Sequence, residues 1–149
     1  LQVPLTVLTK LSRLESPDQT IYIDENPSVF CSSLYEPSRI SMHVHEWTAK
    51  VAALVALELF AASGTTVYYS GDFDPEGLWI AQRLAIFYPE TFRFLNMDET
   101  SYQKCLSKEP ISDTRLKQLD RITYSRLLGT VARMRIEKMA GYQEVLTLI

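Results

Sequence analysis

The sequence predicts an α/β fold: a mostly parallel sheet flanked by helices, followed by a helical C-terminal tail. Three observations carry that expectation. Short β-branched runs alternate with longer runs of helical apolar spacing, the pattern of strand-helix-strand units. Two of the strand candidates end in acidic residues, Asp24-Glu25 in one and Asp72 with Asp74 in the other. Each acidic end leads into an Asn-Pro or Asp-Pro pair, which suits a helix N-cap with proline in the first helical position.

Taken in order, Thr20 to Asp24 (TIYID) is the first strand. Asn26-Pro27 then opens a short helix through Val29, Phe30 and Leu34, and Pro37 ends it. Ile40 to Val44 (ISMHV) is a second strand. Trp47 to Ala62 is an Ala- and Leu-rich helix closed by Ser63-Gly64 as a C-terminal cap. Thr65 to Ser70 (TTVYYS) is a third strand, running into the turn Gly71 to Gly77. Leu78, Ile80, Ala81, Leu84 and Ala85 follow with helical spacing, with Asp74 at the N-cap and Pro75 in the first turn. Thr91 to Leu95 (TFRFL) is a fourth strand. Beyond Asp98 the chain reads as helical, interrupted at Pro110 and Gly129, and Gly141 precedes a last helical segment, Tyr142 to Ile149. Residues 1–149 read as one domain, with a core over about 20–97 and a helical extension over 98–149.

The composition suits such a domain. In 149 residues, 46% are hydrophobic and 22% charged, and a chain of this length buries about two thirds of its unfolded surface. That excludes intrinsic disorder. The longest apolar run, Val51 to Ala62, is broken by Glu58 and falls short of the ~18–20 residues that span a bilayer. Cys31 and Cys105 have neither zinc nor redox-pair spacing, and no signal segment precedes them, so buried or incidental thiols in a reduced, cytoplasmic setting are expected. Leu1 at the start and the apolar end Val145 to Ile149 suggest the C-terminal piece of a longer protein.

In open parallel α/β sheets, ligands bind beyond the carboxyl ends of the strands. If TIYID and TTVYYS are neighbours, three or four carboxylates meet at one edge. Such groups repel unless a cation joins them, and an all-oxygen set suits Mg²⁺ or Mn²⁺. The plain alternative is local: Asp74 caps a helix, Glu76 complements its dipole, and Gly71 with Asp72 makes the turn. His43 and His45 share one strand face, as loop or strand-end residues or as softer metal ligands. Ser70 stands at a strand end, with packing or phosphate contact as its alternatives. Trp79 is expected to pack in the core or against another domain. Arg115, Lys117, Arg121, Arg126, Arg133, Arg135 and Lys138 read as solvated helix faces rather than a phosphate-contacting surface.

The string GDFDPEGLWIAQRL, with an upstream strand ending in Glu-Asn-Pro, resembles the Toprim domain of topoisomerases, primases and related nucleases, a Rossmann-like fold. Asp74, Pro75, Gly77 and Ile80 are most similar to the type IIB topoisomerase and meiotic-break A subunits. A resemblance covering Ile21 to Ile149 is to bacterial proteins with a Toprim-like C-terminal domain, among them the nuclease subunit of the Wadjet anti-plasmid system. IYIDENPSVF, Ala-Ala-Ser-Gly, YYSGDFDPEGLWIAQRL and the late Tyr142, Gln143 and Glu144 carry it.

The resemblance implies that Glu25, Asp72 and Asp74 are catalytic and bind Mg²⁺ or Mn²⁺, with Glu76 as a further ligand. It implies metal-dependent cleavage of DNA; the residues themselves offer Ser70, Arg83 and His45 as candidates for phosphate or DNA contact. It also implies an upstream DNA-binding domain and an SMC-like ATPase complex that delivers the DNA. Water is the candidate attacking group; in the topoisomerase relatives a tyrosine of a separate winged-helix domain attacks instead, and none of the eight tyrosines here matches it. His43-Val44-His45-Glu46-Trp47 departs from the relatives, which have a glycine-containing turn there.

Two rival readings remain on the residues. A haloacid-dehalogenase-type phosphatase also uses Asp-x-Asp after a strand, but Glu76 stands where it needs Thr or Val and its late acidic motif is missing. The other is a non-catalytic Toprim-like module that makes protein or DNA contacts. A net charge of −3 argues weakly against nucleic acid until it is divided. Residues 1–103 carry 6 Lys+Arg against 13 Asp+Glu, and residues 104–149 carry 9 against 5. The acidic half holds the proposed ligands and the basic half offers a surface for a polyanion.

Overall fold

Strand-forming runs of alternating burial build a four-stranded parallel sheet in the order β2-β1-β3-β4, in a computed structural model that describes residues 4–26, 31, 41–43 and 51–148. The strands are β1 (Thr20–Asp24), β2 (Ser41–His43), β3 (Thr66–Ser70) and β4 (Phe92–Phe94). The class is α/β, as the alternation predicts. The chain divides into two compact units, Leu1–Tyr69 with Tyr88–Arg93, and Ser70–Phe87 with Phe94–Ile149.

In the first unit, β1 pairs in parallel with β2, placing Tyr22 opposite Ser41 and Asp24 opposite His43. β1 and β3 share one burial pattern, with the second, fourth and fifth residues turned inward. Ile21, Ile23, Val67 and Tyr69 therefore enter the core, and Tyr22 and Tyr68 stack at 5.2 Å on the other side. The fifth residue breaks strict alternation in both strands: Asp24 and Ser70 are buried at the carboxyl ends. Helix α1 (Leu5–Leu8) buries Leu8, and α2 (Val51–Ala62) buries Ala56, Leu57 and Phe60. The backbone N–H of Leu14 reaches the Leu59 carbonyl at 3.1 Å, and Gly64, at φ +72°, closes α2 as expected. The short helix expected from Asn26-Pro27 to Leu34 and the start of the Trp47 helix lie outside the described residues, apart from Asn26 and a helical Cys31.

The second unit begins with α3 (Pro75–Phe87), whose inward stripe is Leu78, Ala81, Leu84 and Ala85. Gln82, on the same face and 3% exposed, holds the loop after residue 120. Its Nε2 donates to the Arg121 carbonyl at 3.0 Å, and its Oε1 accepts from the N–H groups of Thr123 at 2.6 Å and Tyr124 at 2.8 Å. Asp98 caps α4 (Glu99–Cys105) by accepting from the Ser101 N–H at 2.9 Å.

The tail departs from the helical expectation. Leu106–Pro110 (β5) and Met139–Gly141 (β6) form an antiparallel two-stranded sheet. LSKEP has no strand periodicity, and pairing rather than propensity makes it one. The helical part is α5 (Asp113–Leu116), 3-10 turns over Lys117–Arg121 and Ser125–Leu127, and α6 (Leu128–Glu137). Pro110 ends β5 and Gly129 sits inside α6 without breaking it. The last segment, Gln143–Leu148, is a 3-10 helix. No helix of the described residues is long and apolar enough to cross a membrane.

Candidate functional site

The acidic turn after β3 is shaped by three short-range constraints. Asp74 Oδ1 accepts the Gly77 N–H at 2.7 Å, the N-cap bond that the Asp-Pro pair predicts. Gly77 itself is required by crowding, because a Cβ there would lie 2.4 Å from the Asp72 carbonyl oxygen. Between the two aspartates, Phe73 is fully buried and forms an antiparallel bridge with Gly141, exchanging N–H···O bonds of 2.8 and 2.9 Å. A side chain at Gly141 would be crowded: its Cβ would lie 3.2 Å from Phe73 Cβ and 3.3 Å from Cys105 Cβ, so these neighbours would have to give way. The late chain is thus part of the turn's support rather than an appended tail.

The same strand end brings Gln143 to the site. Its backbone N–H donates to Asp72 Oδ1 at 3.3 Å, and its side chain holds the Asn96 carbonyl at 3.2 Å. Burial pushes the Asp72 carboxyl above its ordinary 3.8, the Gln143 N–H offsets part of this, and the charges of Asp74 and Glu144 add to it. Burial likewise raises Asp74, against the lowering effect of the Gly77 N–H and of Arg115.

Arg115 is the cation of this turn. Ser112 caps α5 by accepting the Arg115 N–H at 3.3 Å, and Leu116 is buried beside it, which fixes the arginine's backbone. Its Nη2 donates to Asp74 Oδ2 at 2.8 Å and to Glu76 Oε2 at 2.6 Å, while Nε lies 3.2 Å from both Glu76 oxygens. Gln118 Nε2 adds a bond to Glu76 Oε1 at 3.0 Å. The Arg115 hydrogen bonds hold the Glu76 carboxyl below its ordinary range.

Of the residues predicted from sequence, Asp72, Asp74 and Glu76 come together here. Glu25 belongs to the first unit, where its Oε1 accepts from the Tyr69 hydroxyl at 2.8 Å. Ser70 is 5% exposed, at the buried end of β3. Arg83 is exposed on α3, with its guanidinium 5.8 Å from the Phe87 ring centre. His45 lies outside the described residues. Trp79 is half-buried beneath the Arg121 guanidinium, 4.0 Å from its ring centre. Arg133, Arg135 and Lys138 pair with Glu137, Asp120 and Asp113, so this part of the basic tail is spent on ion pairs within the tail.

Sequence reading missed Arg115, Gln118, Tyr69 and Gln143 as partners of the acidic residues. The one available signal was Ser112, an N-cap three residues before Arg115; the partner 39 residues away leaves no local trace. The donor chemistry of Asp72 and Asp74 fits Mg²⁺ or Mn²⁺, the ions the resemblance implies, because two half-buried carboxylates stand in a turn with the one charge of Arg115 and hard ions take oxygen ligands. Among the described residues, no group of three or more His, Cys, Asp or Glu side chains is placed to hold a metal ion.

No curated protein and no solved structure matches the chain. Residues 1–148 match the model of the family described as "Protein of unknown function C-terminus (DUF2399)". The chain belongs to the DUF2399 family of C-terminal domains.

Proposed function

We propose that the chain is a Toprim-like nuclease domain that cleaves DNA phosphodiester bonds with Mg²⁺ or Mn²⁺ bound at Asp72 and Asp74. The observation that carries the reading is the pair Asp72 and Asp74, half-buried carboxylates just beyond the carboxyl end of a parallel strand, where α/β sheets place their ligands. When bound, the ion polarises the scissile phosphate and stabilises the leaving oxygen. Gly77 and Gln143 hold the two carboxylates in place through backbone N–H groups. Water is the attacking group in this reading, whereas in the topoisomerase relatives a tyrosine of a separate domain attacks.

The resemblance to the Wadjet nuclease subunit supports a place in plasmid or foreign-DNA defence in the cytoplasm. An upstream DNA-binding domain and an SMC-like ATPase complex would then bring the DNA. One observation favours a second reading, a non-catalytic module in a DNA-processing complex: Arg115 already neutralises part of the acidic turn without a metal. Calorimetric titration with Mn²⁺ separates the two. The nuclease reading expects saturable binding that Asp72→Ala removes, and absence of binding in the unmodified protein leaves the module.

A further inference from the structure

Asp74 divides its two oxygens between different duties. Oδ1 caps α3 through the Gly77 N–H, and Oδ2 takes a single bond from Arg115 Nη2 at 2.8 Å. Glu76, by contrast, receives Arg115 through Nε and Nη2 together, with Gln118 completing the set. The guanidinium is therefore anchored on Glu76 and only borrowed by Asp74. Side-chain exposures of 33% for Arg115, 30% for Asp74 and 44% for Glu76 keep the cluster open to ions from solvent.

We infer that Arg115 is the built-in counter-ion of the acidic turn, a positioning residue that stays anchored on Glu76 and yields Asp74 Oδ2 to an incoming divalent cation. The inference rests on the metal-binding reading above. An oxygen that coordinates Mg²⁺ at about 2.0–2.1 Å does not keep a full-strength bond to a guanidinium, and a divalent charge outcompetes a monovalent one at shorter range. The residue that holds Arg115 through this exchange is Glu76, whose two oxygens are already engaged. Glu76 is thereby assigned to the arginine rather than to the metal. In the absence of an ion, Arg115 prevents repulsion between Asp74 and Glu76 from opening the first turn of α3.

The test is Mn²⁺ affinity by calorimetry in the unmodified protein, in Arg115→Gln and in Arg115→Lys. Removing the competing charge in Arg115→Gln tightens binding about fivefold, while Arg115→Lys, which keeps the charge, stays close to the unmodified protein. Unchanged or weaker binding in Arg115→Gln overturns the inference. Should Arg115→Gln unfold, the unmodified protein still decides: titration with diamagnetic Mg²⁺ shifts the Arg115 side-chain N–H resonances in step with ion binding, and resonances that do not respond overturn it. Binding that is absent altogether, or indifferent to Asp72→Ala, defeats the metal-site reading itself. Binding that needs Asp72 but ignores Arg115 defeats only the counter-ion role.

Discussion

Gly77 lies so close to the Asp72 backbone that any Cβ on it would stand 2.4 Å from the Asp72 carbonyl oxygen. The helix after the acidic turn begins where it does because residue 77 has no side chain, and that close approach lets Asp74 reach the Gly77 N–H.

Gly77→Ala therefore forces backbone movement and costs about 1–3 kcal/mol, as overpacking against rigid atoms does. Gly129→Ala is the control: it lies in α6 with nothing nearer than 3.7 Å. It should gain about 0.4–1 kcal/mol. Urea unfolding of both variants checks the pair, and equal effects would contradict the crowding at Gly77.

Gln82→Leu removes the partner of three backbone groups in the Arg121 to Tyr124 loop. Each of these part-buried hydrogen bonds contributes about 0.5–1.5 kcal/mol, so a loss of about 3 kcal/mol is expected in urea unfolding. Proteolysis should then begin in the loop around Thr123.

The pH dependence has opposite signs at Asp72 and Glu76. The folded-state pKa of Asp72 is raised, so the folded protein binds the extra proton and stability falls as pH rises from the ordinary 3.8 through the raised value. Asp72→Asn should raise Tm at pH 7, with the gain vanishing toward pH 3. Glu76 is lowered from 4.5, so its contribution is present above that value and is lost as pH falls through its folded pKa. Glu76→Gln should lower Tm at pH 7, by a margin that shrinks as pH falls below 4.5. Thermal melts at both pH values check the two signs.

The thiols report on the packing behind the turn. Cys31 is exposed, whereas Cys105 is fully buried, with burial pushing its thiol up to about 11. A disulfide reagent should titrate one thiol quickly in the native protein. The second should follow at least about a hundredfold more slowly, or only on unfolding.

The legible part of the fold was the part written locally. TIYID became β1 residue for residue because a β-branched run ended at a turn signal, and α3 began at Pro75 because Asp74-Pro75 is a cap in itself. The adjacency of β1 and β3, which the clustering of carboxylates required, is present in the sheet order. β5 and β6 were illegible because each becomes a strand only through the other. Arg115 was hidden for the same reason. In the sequence it is one basic residue among nine in residues 104–149, and only the fold sets it against Glu76 and Asp74. Glu76 lay in the predicted site by position, but its engagement with Arg115 and Gln118 depends on chain 39 and 42 residues away.

The central claim is that Asp72 and Asp74 serve metal-dependent DNA cleavage, and a plasmid-cleavage assay on the full-length protein tests it most directly. Nicked or linear plasmid should accumulate with Mg²⁺ or Mn²⁺ and disappear when Asp72→Ala replaces the unmodified protein. Cleavage that continues undiminished in Asp72→Ala would contradict the account.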